Sequence, residues 1–219
     1  MRKINAAIIL NLIIFVLMVV GAFFAFTGLK FDMTRVNTTF WYVIKFFTVQ
    51  SNIFMGIAAL LYAINEILHL KKGIELNRTL FIIKYIATIC VTITFFTVAL
   101  FLAPVFYKDN YFALFYDTNF LFHLVIPVLS MIIFIFLENR SDMNIKITFL
   151  GIVPYIVYSI FYVILAITHM ENGKVVDGYD WYGFLYFGIP TFILLTFIMI
   201  VATYLLSFLL YFLNKKLYK

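Results

Sequence analysis

The sequence predicts an all-α polytopic integral membrane protein, built as a single transmembrane domain over residues 1–219. Two observations lead to this fold class. Hydrophobic residues make up 65% of the chain and charged residues only 12%, with a mean hydropathy of +1.07, which leaves too little polar surface for a soluble domain. Six apolar stretches are also each long enough to cross about 30 Å of hydrocarbon as a helix.

The predicted helices follow one another along the whole chain. We place the six transmembrane helices near residues 5–29, 40–68, 79–106, 118–137, 146–169 and 184–213. The apolar run of the first stretch is longer than that of a signal peptide and lacks a clear small-residue cleavage site, so we expect it to be retained. This pattern predicts a multi-pass protein of the cell membrane.

Basic residues predict the orientation of the chain. Ten lysines and arginines fall on the side that holds both termini and four fall on the other side. Because cytoplasmic loops carry the excess of positive charge, we expect both termini to be cytoplasmic. The net charge of +6 then reflects topology and contact with lipid headgroups, and nucleic acid is not an expected partner. Lys45 and Lys84 lie within predicted spans but near their ends, where we expect their ammonium groups to snorkel to the interface. Glu66 is expected to be solvated close to the cytoplasmic surface.

A group of hydrogen-bonding side chains interrupts the second stretch in the sequence FTVQSN, residues 47–52. Thr48 lies eight residues after Phe40, which is roughly 12 Å along a helix from its outer end. Gln50 points nearly the opposite way and is expected to link this helix to a neighbour. Spacings of three and four residues place the other polar side chains on one stripe, formed by Lys45, Thr48, Ser51 and Asn52.

The fourth stretch carries a histidine within an apolar helix. Asn119, His123 and Pro127 share one face, and His123 lies roughly 9 Å from the outer end of its helix. Thr48 and His123 are therefore predicted at similar depth in the outer half of the membrane. Pro127 cannot donate to the carbonyl of His123, four residues earlier, so a bend is expected beside the imidazole.

These residue types permit nucleophilic catalysis. A hydroxyl is a weak nucleophile until a base removes its proton, and neutral imidazole is a natural base near pH 7. Ser51 or Asn52 could orient the imidazole or stabilise an oxyanion. Polar groups in spans also serve transport, proton relay and helix packing, so these alternatives stay open. The threonines of the third stretch are expected to bond to carbonyls of their own helix.

The remaining candidates argue against a metal or redox centre. His69 and His169 are predicted near opposite membrane faces, so the three histidines cannot share one metal ion. Cys90 is the single cysteine and is expected to be a small buried hydrophobe. No cofactor is needed for the predicted chemistry.

The last outer loop contains YDWYGF, residues 179–184. Its aromatic residues are typical of an interfacial belt, which we predict to contain Tyr179, Trp181, Tyr182 and Tyr186. Asp180 would assist His123 only if this loop folds into the bundle.

The motifs FTVQSN, from Phe47 to Asn52, and HLVIP, from His123 to Pro127, resemble those of the androgen-induced and androgen-dependent family of membrane hydrolases and its six-helix bacterial relatives. Characterised animal members are threonine hydrolases that cleave fatty acid esters of hydroxy fatty acids. The resemblance implies that Thr48 is the nucleophile and His123 the base.

The sequence thus predicts a lipid ester hydrolase that acts on a fatty-acyl ester from the membrane, with membrane lipid as its surroundings. Thr48 and His123 are the expected catalytic residues, and the surrounding pocket is expected to include Gln50, Ser51, Asn52, Asn119, Pro127 and Asp180. A proton-coupled carrier, or a membrane subunit without catalytic activity, is the alternative.

Overall fold

The computed structural model describes residues 2–171, 174–176, 178–185 and 188–218. In that part of the chain, six helices are long and apolar enough to cross a membrane, and we call them spans 1 to 6: Arg2–Thr27, Phe47–Lys72, Arg78–Phe106, Thr118–Phe136, Ile145–Thr168 and Ile189–Leu217. The protein is therefore an all-α polytopic membrane protein, and the predicted fold class is confirmed. Tyr186 of the predicted aromatic belt lies outside the described residues.

Several spans are composite. Helix α1 is Arg2–Thr27, α2 is Phe40–Ile44 and α3 is Phe47–Lys72. Span 3 joins α4 (Arg78–Thr97), a π-helical turn (Val98–Leu102) and α5 (Ala103–Phe106), and a 3₁₀ segment (Lys108–Phe115) follows. Span 4 joins α6 (Thr118–Phe120), a π-helical turn (Leu121–Val125) and α7 (Ile126–Phe136). Span 5 is a 3₁₀ segment (Ile145–Ile152) followed by α8 (Val153–Thr168), and span 6 is α9 (Ile189–Leu217). Strands β1 (Met170–Glu171) and β2 (Lys174–Val175) pair antiparallel before α9.

A short turn at the inner end, meaning the end that holds both termini, connects α3 to α4. Gly73 ends α3 in the left-handed conformation, with φ +68°, and its N–H donates to the carbonyl of His69. Asn77 begins α4 by accepting a hydrogen bond from the Leu80 N–H at 3.1 Å. The Asn65 side chain accepts from the Asn77 N–H at 2.8 Å, so the two helices are held antiparallel from this turn onward.

Spans 1 to 4 form the core of the bundle. Span 1 packs along span 2, span 2 packs on span 3, and span 3 packs on span 4. Of the most hydrophobic window of each span, 56% is buried in span 3 and 17% in span 6, so span 3 is central and span 6 peripheral. As predicted, Thr88 and Thr92 donate to carbonyls one turn earlier in α4, at 2.9 and 2.7 Å, and so add no unpaired hydroxyl to the core.

The prediction of one continuous helix over 40–68 is wrong. The chain turns at Lys45 and Phe46, where Phe46 has extended backbone angles, and α3 begins at Phe47. The Gln50 side chain does not reach another span, because its amide donates to the Ile44 carbonyl of the short helix α2 at 2.8 Å across this break. Thr48 therefore lies in the first turn of α3 and does not share a helical stripe with Lys45.

Two prolines are accommodated by π-helical turns. Pro104 and Pro127 each occupy the first turn of the α-helix that follows such a turn. At Pro127 the Ile126 N–H donates to the Leu121 carbonyl, five residues back, in place of the usual four. The bend expected beside His123 thus takes the form of a wide helical turn that contains His123 itself.

Candidate functional site

A cavity of about 760 Å³ opens at the outer end of the bundle, which is the end away from both termini. Both Thr48 and His123 line it, together with Asn119. Much of its wall is apolar and comes from spans 1 to 4 and from α2, including Phe24, Val43, Phe46, Leu102 and Phe122. The two residues expected to carry the chemistry therefore face one common space from different spans.

The outer loop between spans 3 and 4 holds the His123 ring in one orientation. Its side chain is buried, and Nδ1 lies 2.6 Å from the carbonyl oxygen of Leu114, in the 3₁₀ segment. Because a carbonyl only accepts hydrogen bonds, Nδ1 carries a hydrogen, and in the neutral ring Nε2 then keeps its lone pair. The Phe115 ring packs edge-on against the imidazole with centroids 6.3 Å apart. This arrangement is that of a neutral histidine ready to accept a proton.

Thr48 lies where α3 begins. The N–H groups of Val49 and Gln50 donate to the Phe46 carbonyl, so the N–H groups of Phe47 and Thr48 have no acceptor within the helix. Thr48 therefore lies at the positive end of the helix dipole, in the same turn as these N–H groups. Helix starts of this kind favour negative charge that develops on a nearby oxygen.

Tyr182, from the last outer loop, contacts the first turn of α3. Its hydroxyl oxygen accepts a hydrogen bond from the Phe47 N–H at 2.9 Å and also lies against the backbone and side chain of Thr48. Burial raises the pKa of Tyr182, and hydrogen bonds to Tyr158, Phe47 and Thr48 oppose this rise. The phenol consequently stays protonated at neutral pH and keeps an O–H beside Thr48.

A chain of hydrogen bonds fixes the loop that carries Tyr182. The Lys45 ammonium donates to the Gly178 carbonyl at 2.8 Å, and the Trp181 indole N–H donates to the Tyr158 hydroxyl at 2.9 Å. The Tyr158 hydroxyl in turn donates to the Lys45 carbonyl at 2.8 Å. These bonds join span 5, the loop and the break before α3. Lys45 is thus half-buried between the loop and aromatic rings, in the break that precedes span 2.

Asn52 links the backbone of the two candidate catalytic residues. Its side-chain amide donates to the Thr48 carbonyl at 2.7 Å and to the Phe122 carbonyl at 3.0 Å, and the residue is fully buried. Phe122 directly precedes His123, so Asn52 sets the distance between the first turn of α3 and the π-helical turn of span 4. Among the described residues, no hydrogen bond joins the Asn52 side chain to the imidazole.

The other predicted pocket residues have different positions. Ser51 is buried against span 3, where its hydroxyl lies 3.1 Å from the Thr94 hydroxyl. Asp180 does not assist His123: its carboxylate accepts hydrogen bonds from the Tyr162 hydroxyl and, at 3.0 Å, from the Leu185 N–H. Pro127 is buried one turn below His123.

A second, narrow cavity of about 40 Å³ lies on the other side of Thr48. Spans 3, 5 and 6 supply its lining, which is mainly apolar and aromatic, with Val98, Tyr155 and Phe192 among its residues. Thr48 and Tyr182 line both this narrow cavity and the large one. With Leu102, they therefore lie between the two spaces.

No hydrogen bond joins Thr48 to His123 within the described residues. Proton transfer between the two side chains would need a group that occupies the large cavity. Sequence reasoning missed Tyr182 as a neighbour of Thr48, because nothing in its spacing predicts how the outer loop folds back. Its position in a Tyr- and Trp-rich loop was the available signal, and it was interpreted as a membrane belt.

A second polar group, buried near the inner end, was also missed. Lys84 forms an ion pair with Glu138, and both side chains are 1% exposed. The Asn11 amide donates to Glu138 at 2.8 Å and to Glu66 at 3.4 Å, while its oxygen accepts from Lys84 at 2.6 Å. We call Asn11, Glu66, Lys84 and Glu138 the inner polar cluster. The expectations that Lys84 snorkels and that Glu66 is solvated are wrong, because both are buried with hydrogen-bond or ion-pair partners from other spans and from the turn that follows span 4.

The described residues contain no group of three or more His, Cys, Asp or Glu side chains that could hold a metal ion. The fold and the site define a polytopic α-helical membrane protein whose outer end encloses a hydroxyl group and an imidazole in one cavity. No family model, curated protein or solved structure matches this chain.

Proposed function

We propose that the protein is a lipid ester hydrolase in which Thr48 is the nucleophile and His123 the general base. The observation that carries the proposal is that Thr48, at the start of α3, and His123, with Nε2 free to accept a proton, line the same partly apolar cavity. A neutral imidazole and a hydroxyl beside helix N–H groups are the components that acyl transfer requires.

In the proposed reaction, the Thr48 oxygen bonds to the ester carbonyl carbon. Because no hydrogen bond joins Thr48 to His123 among the described residues, the hydroxyl proton passes to His123 Nε2 through a water in the large cavity. The tetrahedral oxyanion collapses, the bond to the alcohol oxygen breaks, and His123 returns the proton to that leaving oxygen. Water then adds to the acyl-threonine and gives a proton to His123. The second collapse releases the fatty acid and returns a proton to Thr48.

The start of α3 would stabilise both oxyanions. The Thr48 N–H has no acceptor within its helix, and Tyr182 places a phenol O–H beside the nucleophile. Donors that are already oriented when charge develops are worth about 10²–10³ in rate each. We therefore assign Tyr182 as a third catalytic residue.

The two cavities suggest the kind of substrate. The large cavity combines apolar walls with a polar outer rim that includes Lys30 and Asp117, whereas the narrow cavity is mainly apolar. An amphiphilic ester from the membrane, with its carbonyl at Thr48, matches this division. A fatty-acyl ester is the corresponding substrate class.

The experiment is hydrolysis of a panel of acyl esters, from short to long chains, by protein purified in lipid nanodiscs. Thr48→Ala and His123→Ala should each lower kcat/KM by about 10³-fold or more. Thr168→Ala and His69→Ala are matched controls, because these residues lie at the ends of span 5 and span 2, away from both cavities.

A fluorophosphonate probe tests the nucleophile separately. It should attach to the peptide that contains Thr48 in the wild type and leave Thr48→Ala unlabelled. Hydrolysis that survives both Thr48→Ala and His123→Ala would refute the proposal. Uptake of intact substrate into vesicles without cleavage would instead favour a carrier.

A further inference from the structure

A third cavity, of about 300 Å³, lies at the inner end between the start of span 3 and the start of span 5. It lies at the opposite end of the bundle from the Thr48 site. None of the described residues that line it also lines either outer cavity. Three basic side chains surround it, and an apolar wall continues from them along the two spans. The residues that matter here are Arg78, Arg140, Lys146, Ile82, Ile147 and Leu150.

The basic side chains are not equally available. Arg140 donates to Asp142 at 2.9 and 3.2 Å and also to the Leu76 carbonyl, so its guanidinium is already committed. Arg78 approaches Asp142 only at 3.6 Å, and its side chain is 61% exposed. Lys146 has no hydrogen bond or ion pair from its ammonium within the described residues. Arg78 and Lys146 therefore have donors free for a ligand.

The cavity keeps a positive charge, because Asp142 is the single carboxylate against three cations among the described residues that line it. The Arg140 hydrogen bonds hold the pKa of Asp142 below its usual range, so the Asp142 carboxyl stays ionised near neutral pH and the net positive charge of the cavity does not change. Ile147 is buried and Leu150 is exposed on the lipid-facing side of span 5. An occupant would thus meet two cations with unused donors at one end and exposed apolar side chains at the other.

We propose that this cavity binds the phosphodiester headgroup of an anionic phospholipid of the adjoining leaflet. Arg78 and Lys146 donate to the phosphate oxygens, and one acyl chain lies along Ile82 and Leu150. Basic pockets between transmembrane helices are suited to such headgroups. The apolar wall selects a lipid over free phosphate, and the site does not depend on the hydrolase proposed for the outer end.

The test uses full-length protein that has been delipidated in detergent. Native mass spectrometry and thermal unfolding are recorded with phosphatidylglycerol, with phosphatidylcholine and with inorganic phosphate. Phosphatidylglycerol should be retained and should raise Tm, and the other two should not. Arg78→Gln/Lys146→Gln should weaken phosphatidylglycerol binding by about 10-fold or more, since two charge-assisted contacts are lost.

The matched control is Lys71→Gln/Lys72→Gln, which removes the same charge from exposed residues at the same end but outside the cavity. Leu150→Trp provides a second variant, because it fills the apolar part without changing charge, and it should also weaken binding. Equal binding by the cavity variants and the control would overturn the proposal, as would equal stabilisation by inorganic phosphate or by phosphatidylcholine.

Discussion

Replacing Lys84 by methionine removes the only cation of the inner polar cluster while keeping an unbranched side chain of similar length. Glu138 would then stay buried, with its side chain 1% exposed. The Asn11 amide would be the one hydrogen-bond donor that the inner polar cluster still offers to it. Breaking a buried ion pair from one side costs about 3–5 kcal/mol, because the remaining charge has lost its partner. For a chain of this size, that corresponds to a fall in Tm of roughly 6–20 °C.

The measurement is thermal unfolding of purified variants in lipid-free detergent. Lys84→Met/Glu138→Gln should recover most of the loss, since a neutral pair leaves no unpaired charge, and the double-mutant cycle should show strong coupling. Arg78→Met is the control, because the Arg78–Asp142 pair is 61% and 45% exposed and should be worth about 1 kcal/mol or less. If Lys84→Met costs no more than this control, or if the two changes are additive, the cluster does not stabilise the fold as a charged unit.

Three further outcomes are expected. Tyr182→Phe should lower kcat about 10²–10³-fold with little change in KM, whereas Tyr179→Phe, in the same loop, should match the wild type in an ester hydrolysis assay; equal activity of the two variants would remove Tyr182 from the mechanism. Asn52→Leu should lower the unfolding free energy by about 1–3 kcal/mol, measured by thermal unfolding, because two buried carbonyls lose their donor; an unchanged Tm would contradict this. The pKa of Asp142 is lowered in the fold, so its pairing with Arg140 stabilises the protein above about pH 4 and is lost as the pH falls further. Arg140→Gln should therefore flatten the acid side of a plot of Tm against pH, and an unchanged acid slope would argue against the pairing.

Hydropathy predicted the six spans because the need to satisfy every backbone group in hydrocarbon leaves few alternatives to a helix. The break at Lys45 and Phe46 was not predictable in the same way, since neither residue is Gly or Pro. Contacts from distant parts of the chain hold it open: the Tyr158 hydroxyl bonds to the Lys45 carbonyl, and the Tyr182 hydroxyl bonds to the Phe47 N–H.

The candidate site was predictable in its residues more than in its geometry. The depth of Thr48 was counted from Phe40 along a helix that breaks before Phe47, so the argument from equal depth does not hold, although Thr48 and His123 do line one cavity. The proline at 127 indicated a disturbed carbonyl beside His123, but not that a π-helical turn would absorb it. The inner polar cluster was missed because Lys84 and Glu66 were each explained separately, and their partners come from other spans.

The two wide turns in spans 3 and 4 have a consequence for how the bundle could change. Each turn holds one residue more than a regular turn, so everything on its outer side is rotated by about 100° relative to an uninterrupted α-helix. Deleting a single residue there would rotate only the short outer segment of the span, Ala103–Phe106 in span 3 or Thr118–Phe120 in span 4, while the longer inner segment kept its packing. Insertions and deletions at these turns could therefore change the shape of the large outer cavity while the packing of the inner ends of the spans is kept.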